Sequence, residues 1–399
     1  MNTLWIGNGR LAQPDRIVNN GSLLVEDGRI AAVNEPCPAG VPSVDAAGGY
    51  ILPGFIDLHV HGGGDADFMD ATPEAFHEVA KAHCAHGTTA LAATTMTCAD
   101  SLLEEVIDAY LQAKTQPWSG AEILGLHLEG PFFSAASKGA QPVAEQRIPT
   151  RAMLEHILTH AQGQILRWDA APELEGMEMF AQVMREHGVL CAIAHTNADA
   201  DQAMQAFDWG FSHVTHFYNA ISTFHKKKGI VHAGVVEATY LRDDVTIELI
   251  SDGRHIPKES MQLAYRIKGA DHIALITDAM RASCTCALHS ILGPRIGGVP
   301  VIVKDDVAQL TDLSSYAGSV CTMDRALRVA HLQYGLPLQD VCRMLSLTPA
   351  RLCGCQDRKG SLEKDKDADV VILSPGFEVR RVYVRGVLCH ASEQTAKEQ

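Results

Sequence analysis

The chain reads as an α/β protein: a closed (β/α)8 TIM-like barrel with a small β-sandwich domain built from its two ends. Three observations predict this. The middle of the sequence alternates short apolar runs with amphipathic stretches, the pattern of βα units around a parallel sheet. Eight such runs can be counted, the number that closes a barrel. Both ends are instead rich in short strands separated by Gly and Asp-Gly turns.

At the N-terminal end, Leu4 to Ile6, Ser22 to Glu26 and Ile30 to Val33 read as strands around the Asp27-Gly28 turn. The barrel strands follow as 54–60, 88–95, 122–128, 165–170, 189–194, 213–216, 245–250 and 272–277. Helices are predicted between most of them, at 73–86, 101–114, 150–160, 177–186, 200–207 and 257–268. Asp369 to Leu373 and Val379 to Val387 return to strand character. The boundaries expected are 54–354 for the barrel and 1–53 plus 355–399 for the small domain.

At 399 residues, with 46% hydrophobic and 20% charged residues, the chain can bury a large core, and disorder is excluded. A net charge of -15 repels phosphate backbones and anionic lipid, so nucleic acid and membrane are unexpected partners. Eleven scattered cysteines and no uninterrupted apolar run of about 18 residues point to reduced thiols and a cytoplasmic location. Cys284-Thr285-Cys286 and Cys353-Gly354-Cys355 lack the companion pairs of a structural zinc site.

The 19 histidines direct attention to a metal or proton-transfer site. Polar residues gather at the C-terminal ends of the predicted strands, the face on which barrel enzymes build their sites. Residues i and i+2 of a strand share a face, so His59 and His61 can point together into the barrel mouth. Glu129, His195 and His216 each stand where a strand stops, and Asp278 ends an apolar run. A carboxylate so placed needs a partner, which a cation would supply. Three imidazole or carboxylate ligands plus water make the open site of a hydrolytic divalent metal. Asp57 reads equally as a residue orienting a histidine or as a strand-end residue.

These residues resemble the amidohydrolase superfamily and, within it, the N-acetylglucosamine-6-phosphate deacetylases. The matching pieces are Pro53-Gly54-Phe55-Ile56-Asp57, His127-Leu128-Glu129-Gly130-Pro131, Ala171-Pro172-Glu173, His195-Thr196-Asn197-Ala198, Thr215 to Ala220, Asp252-Gly253-Arg254-His255 and Thr277-Asp278-Ala279, in the family's order. The resemblance implies that Glu129, His195 and His216 bind one metal, that His59 and His61 hold a second with Glu129 bridging, and that Asp278 is both a metal ligand and the catalytic carboxylate. One or two divalent ions per subunit are expected, zinc first, with iron, manganese, cobalt or nickel also suited to these donors. His255 would contact the substrate near the scissile amide, and Asn219 and Ala220 would face the sugar phosphate.

Family members often carry a histidine where this chain has Gln141, and an arginine, in some cases reaching the neighbouring subunit's site, where it has Lys226-Lys227-Lys228. Gln141, these lysines, Arg254 and Arg281 are therefore expected to contribute to substrate and anion recognition. The implied reaction releases acetate from N-acetylglucosamine 6-phosphate, with a homodimer as the working form. The galactosamine epimer, another N-acyl amino sugar, or a barrel that only binds sugar phosphates are the alternatives.

Overall fold

A computed structural model describes residues 3–392 of the chain. Its central feature is a sheet of eight parallel strands in sequential order: Phe55–Val60, Thr88–Thr94, Glu122–Phe132, Ile165–Ala170, Leu190–Ile193, His213–Val214, Thr246–Ile250 and Ile273–Ile276. Seven fall inside the runs predicted for them, and the third begins as predicted but continues four residues further, to Phe132. The sheet closes between strands eight and one: Val60 bridges Ala279, and Asp278 N–H donates to His59 O at 2.9 Å. Asp57 reinforces this seam. One carboxylate oxygen accepts from Thr277 Oγ at 2.5 Å and the other from the Thr277 and His59 N–H groups. Of its two readings, the structural one describes what its side chain touches.

Helices cover the outside because their starts are written locally. Thr72, with Pro73 behind it, accepts from Ala75 N–H, and Thr150 accepts from Met153 N–H, each satisfying a donor that the first turn leaves free. Asp199 and Gln202 form a reciprocal cap on 200–209. The inward stripes of these helices join the barrel's outer face in one apolar core that includes Phe76, Tyr110, Trp168, Phe180 and Phe211. Strands covered on both faces carry no polar alternation, as the fully buried Thr88–Thr94 illustrates.

The terminal segments meet in a second sheet of eight strands. Val370–Leu373 pairs with Tyr50–Pro53, and Tyr50–Pro53 with Thr3–Ala12, so the last strands of the chain continue a sheet begun by the first. One edge of this sheet curls back: Ile30 N–H donates to Lys366 O and Ala368 N–H to Gly28 O, both at 2.9 Å. The fold encloses a separate core of Ile6, Leu23, Val25, Ile51, Val370 and Ile372. Buried Lys359 joins the two parts, its ammonium lying 2.9 Å from Glu122 on strand three and 2.6 Å from Asp369.

One element was not foreseen. After strand eight, His289–Leu292, Val299–Lys304, Val307–Leu310 and Tyr316–Ser319 form an antiparallel sheet. Its last strand reaches the barrel mouth, where Ser319 N–H donates to Asp278 O at 2.7 Å. No helix among the described residues is long and apolar enough to cross a membrane, and all eleven cysteines are free thiols.

Candidate active site

The strand ends bring His59, His61, Glu129, His195, His216 and Asp278 to one rim of the barrel. The backbone turns sharply where strands five, six and eight stop: His195, His216 and Asp278 adopt left-handed conformations, with φ of 44°, 31° and 50°. Such backbone costs energy in a residue with a Cβ and persists where the surroundings enforce it. Here it swings the side chains across the mouth. The ligand atoms of His59, His61 and Glu129 lie within 4.8 Å of one another, and so do those of Glu129, His195 and His216.

The chemistry of these donors fits a cation. His59 Nε2 is 3.2 Å from His61 Nε2, and His195 Nε2 is 3.1 Å from His216 Nε2. Two imidazole nitrogens facing each other at that distance need a proton or a metal ion between their lone pairs. Glu129 Oε1 stands 3.2 Å from His195 Nε2 and 3.1 Å from His216 Nε2. Three of the rings have a fixed tautomer, because their Nδ1–H groups are placed to donate to Ser137 O (His195, 3.0 Å), Asn219 O (His216, 3.0 Å) and Glu248 Oε2 (His59, 3.3 Å). Their Nε2 atoms are thereby presented to the site. His61 Nδ1 is buried and has no hydrogen-bond partner.

The electrostatics follow from this crowding. Burial alone would push Glu129 up, yet hydrogen bonds from His195 and His216 and the nearby His59 and His61 hold it well below the usual carboxylate range. Burial would depress His61 and His216, but Asp278 and Glu129 respectively raise them to about 9. In Asp278 burial is again the largest effect and is outweighed by His59 and His61, so its carboxyl is lowered. Its Oδ1 lies 3.2 Å from His61 Nε2. It is also 3.5 Å from His59 Nε2, so Asp278 stands as close to this pair of rings as Glu129 does.

His61, Glu129, His195, His216 and Asp278 line a cavity of about 150 Å³ together with Gln141, Asn219, Ala220, His255, Met96 and Tyr316, while His59 lies buried behind it. His255 is held by Asp252, which accepts from its Nδ1–H at 2.7 Å, leaving Nε2 available to a ligand. Gln141 donates to Glu129 Oε2 at 2.6 Å. The other expected contacts are not brought here within one chain. Arg281 is buried and fully engaged: it forks onto both oxygens of Asp70 at 2.7 Å and donates to Asp65 O, Gly293 O and Ile291 O. An arginine so committed anchors the loop after strand eight and cannot recognise a substrate anion. Arg254 is exposed on a turn outside the cavity lining. Lys226 and Lys228 are exposed on the hairpin His225–Lys227 and Ile230–His232, also outside the lining. The side chain of Lys227 lies outside the described residues.

Sequence reasoning touched the layer beneath the site only at His213, weighed there as a residue behind the ligands with plain packing preferred. Arg167 and Asp169 on strand four, His127 on strand three, His213 on strand six and Glu248 on strand seven meet inside the barrel, all essentially without solvent exposure. Arg167 is paired to Glu248 Oε1 and lies 3.2 Å from Asp169, and Asp169 lies 2.9 Å from His127 Nε2. Glu248 therefore joins this network to His59. The signal was present: an Arg, an Asp and a Glu embedded in apolar strand runs have no route to solvent and must find one another. His83 is likewise buried, its ring on Gly62 O at 2.9 Å, which fixes the glycine turn after strand one. A Cβ on Gly62 would come within 2.4 Å of Ala66 O.

Comparison with known proteins agrees with this geometry. Residues 50–389 match the model of the amidohydrolase family. The chain is 32% identical over 398 residues to the N-acetylglucosamine-6-phosphate deacetylase of Bacillus subtilis (strain 168), covering 98% of each chain. It is 30% identical over 381 residues to the N-acetylgalactosamine-6-phosphate deacetylase of Escherichia coli O157:H7, covering 95% of this chain and 97% of the other. The crystal structure of N-acetylglucosamine-6-phosphate deacetylase from Pasteurella multocida superposes with a TM-score of 0.90 at 26% identity, covering 98% of this chain and 100% of that one. A match to the family over residues 50–389 and similarity along nearly the whole length lead to one conclusion: the chain belongs to the amidohydrolase family.

Proposed function

We propose that the chain hydrolyses the N-acetyl group of N-acetylglucosamine 6-phosphate, giving glucosamine 6-phosphate and acetate. The observation that carries this reading is the convergence of Glu129, His195, His216 and Asp278 on one cavity, in a chain whose near-full-length relatives are amino-sugar-phosphate deacetylases. Glu129, His195 and His216 would hold one divalent ion, and His59 and His61 with Glu129 a second, zinc being the first candidate. When bound, such an ion acidifies water and polarises a carbonyl oxygen.

The remaining chemistry belongs to the side chains. Asp278, anionic at neutral pH, accepts the proton of the attacking water and returns it to the departing amine. His255, oriented by Asp252, contacts the substrate near the scissile amide through Nε2. Asn219 and Ala220 border the sugar, and Gln141 faces it from the opposite loop. The exposed lysine hairpin would supply phosphate-binding charge to the site of a second copy, in a homodimer. A cytoplasmic location and the division into 54–354 and 1–53 with 355–399 belong to the same reading.

The test measures acetate release from both epimeric hexosamine 6-phosphates, with metal counted in the same preparation. Turnover of the glucosamine compound that stops on chelation and returns with zinc is expected. Preference for the galactosamine epimer, which the 30% identical Escherichia coli relative makes the second reading, would reassign the substrate. No acetate from either would end the proposal.

A further inference from the structure

The two oxygens of Glu129 are in unequal surroundings. Oε1 faces His195 and His216 at 3.2 and 3.1 Å, with His59 Nε2 at 3.6 Å. Oε2 lies 3.5 Å from His61 Nε2 and already accepts the Nε2–H of Gln141 at 2.6 Å. That amide cannot turn round. Its Oε1 accepts the backbone N–H of Thr97 at 2.9 Å, so only its amino group is left for the carboxylate. Gln141 is itself 5% exposed, and its own N–H is bonded to Lys138 O, so the loop after strand three sets its position.

The rings show the same inequality. His195 and His216 each have Nδ1 placed on a main-chain carbonyl, whereas His61 Nδ1 is buried without a partner. A cation between Oε1, His195 and His216 meets three prepared donors. A cation at His59 and His61 finds the Glu129 oxygen nearer His61 already accepting a fixed N–H, which occupies one lone pair and draws charge from that oxygen, and has Asp278 Oδ1, 3.5 and 3.2 Å from the two Nε2 atoms, as its other near carboxylate. It must also order a ring whose tautomer nothing sets.

We infer that Gln141 is a positioning residue that makes the two metal positions unequal, favouring the Glu129, His195 and His216 site and weakening the His59 and His61 site. The inference deepens the proposed function and rests on its metal reading. Gln141 acts in two ways: it aims Oε1 at His195 and His216, and it occupies Oε2. Losing it therefore weakens the first site and releases the second, so the gap between the two affinities narrows from both sides.

The test titrates chelated protein with zinc by calorimetry and counts bound zinc per chain by mass spectrometry. The wild type is compared with Gln141→Leu, which has no donor, and Gln141→Glu, which keeps an acceptor for Thr97 and replaces the donor with a carboxylate. Two binding steps are expected in the wild type, and in both variants their affinity ratio falls by about 10- to 100-fold, the usual effect of removing a group that supports a metal ligand. Should Gln141→Leu fail to fold, judged by circular dichroism, Gln141→Glu decides. Wild-type steps of equal affinity, or unequal steps whose ratio ignores the substitutions, overturn the inference and leave the deacetylase reading standing. A wild type that binds no zinc overturns the metal reading and the inference with it.

Discussion

Replacing Asp278 by Asn removes a charge and a proton acceptor while keeping the side chain's shape. The backbone at this position is left-handed, φ 50°, a region that Asn enters more readily than other non-glycine residues. The main-chain bonds that hold it, Asp278 N–H to His59 O and Ser319 N–H to Asp278 O, are unaffected. The variant should therefore fold. No neighbouring carboxylate can take over: Glu129 is occupied by His195, His216 and Gln141, and Asp57 is turned to Thr277. The whole contribution of a positioned general base and acid should be lost, a fall in kcat of about 10²- to 10⁴-fold. At about 1.36 kcal/mol per tenfold change this is about 2.7–5.4 kcal/mol of barrier. Metal content should fall little, because Asn keeps a side-chain oxygen and the donors of His59, His61, Glu129, His195 and His216 all remain. Acetate release at saturating substrate and zinc per chain by mass spectrometry are measured on one preparation. A variant that keeps more than about a tenth of the wild-type kcat removes Asp278 from proton transfer, and joint loss of zinc and activity would make it a ligand instead.

Glu248→Gln strips Arg167 of a buried countercharge and His59 of its carboxylate partner. Urea unfolding of the metal-free chain should show a loss of about 3–5 kcal/mol, and a loss below about 1 kcal/mol would mean that the network is not held by charge. Arg281→Met should cost about 1.5–3 kcal/mol by removing the charged hydrogen bonds to half-buried Asp70, which keeps the N–H groups of Asp67 and Arg295. Its KM should stay within about twofold of wild type, and a raised KM on an intact fold would return Arg281 to substrate binding. His86, at the end of the first helix, pairs with Asp324 at 3.3 Å; burial lowers it, but Asp324 and Cys284 raise it from 6.5 to about 10. A raised pKa stabilises fully below 6.5 and fades as pH rises through 10. The melting temperature of the wild type should therefore decline between those values more steeply than that of His86→Gln, and parallel curves would refute the assignment.

The barrel was legible because each strand is written in one place. Leu190–Ile193 and Ile273–Ile276 are apolar runs too short for helices, bounded by caps and turns that act within four residues. The rim residues were legible for a related reason: a polar residue at the end of a buried strand has one face to go to, and His195, His216 and Asp278 stand at such ends. Arg281 misled because an arginine three residues past Asp278 is near the site in sequence whatever its side chain does. Its direction is set by Asp70, 211 positions away. The sheet of residues 289–319 was missed because its short strands, Pro300 and several glycines read locally as loop, and their pairing with one another supplies the order.

Periodicity, turn chemistry and residue type act over a few positions, so the sequence by itself determined the order of strands and helices, the rim that carries the polar residues and the identity of the candidate ligands. The tertiary structure alone decided which of them share a contact. It brought Glu248 of strand seven to His59 of strand one, set Gln141 on one oxygen of Glu129, and spent Arg281 on Asp70. Hydrogen bonds and ion pairs depend on distances of about 3 Å, and such distances between residues a hundred or two hundred positions apart exist only once the barrel has closed.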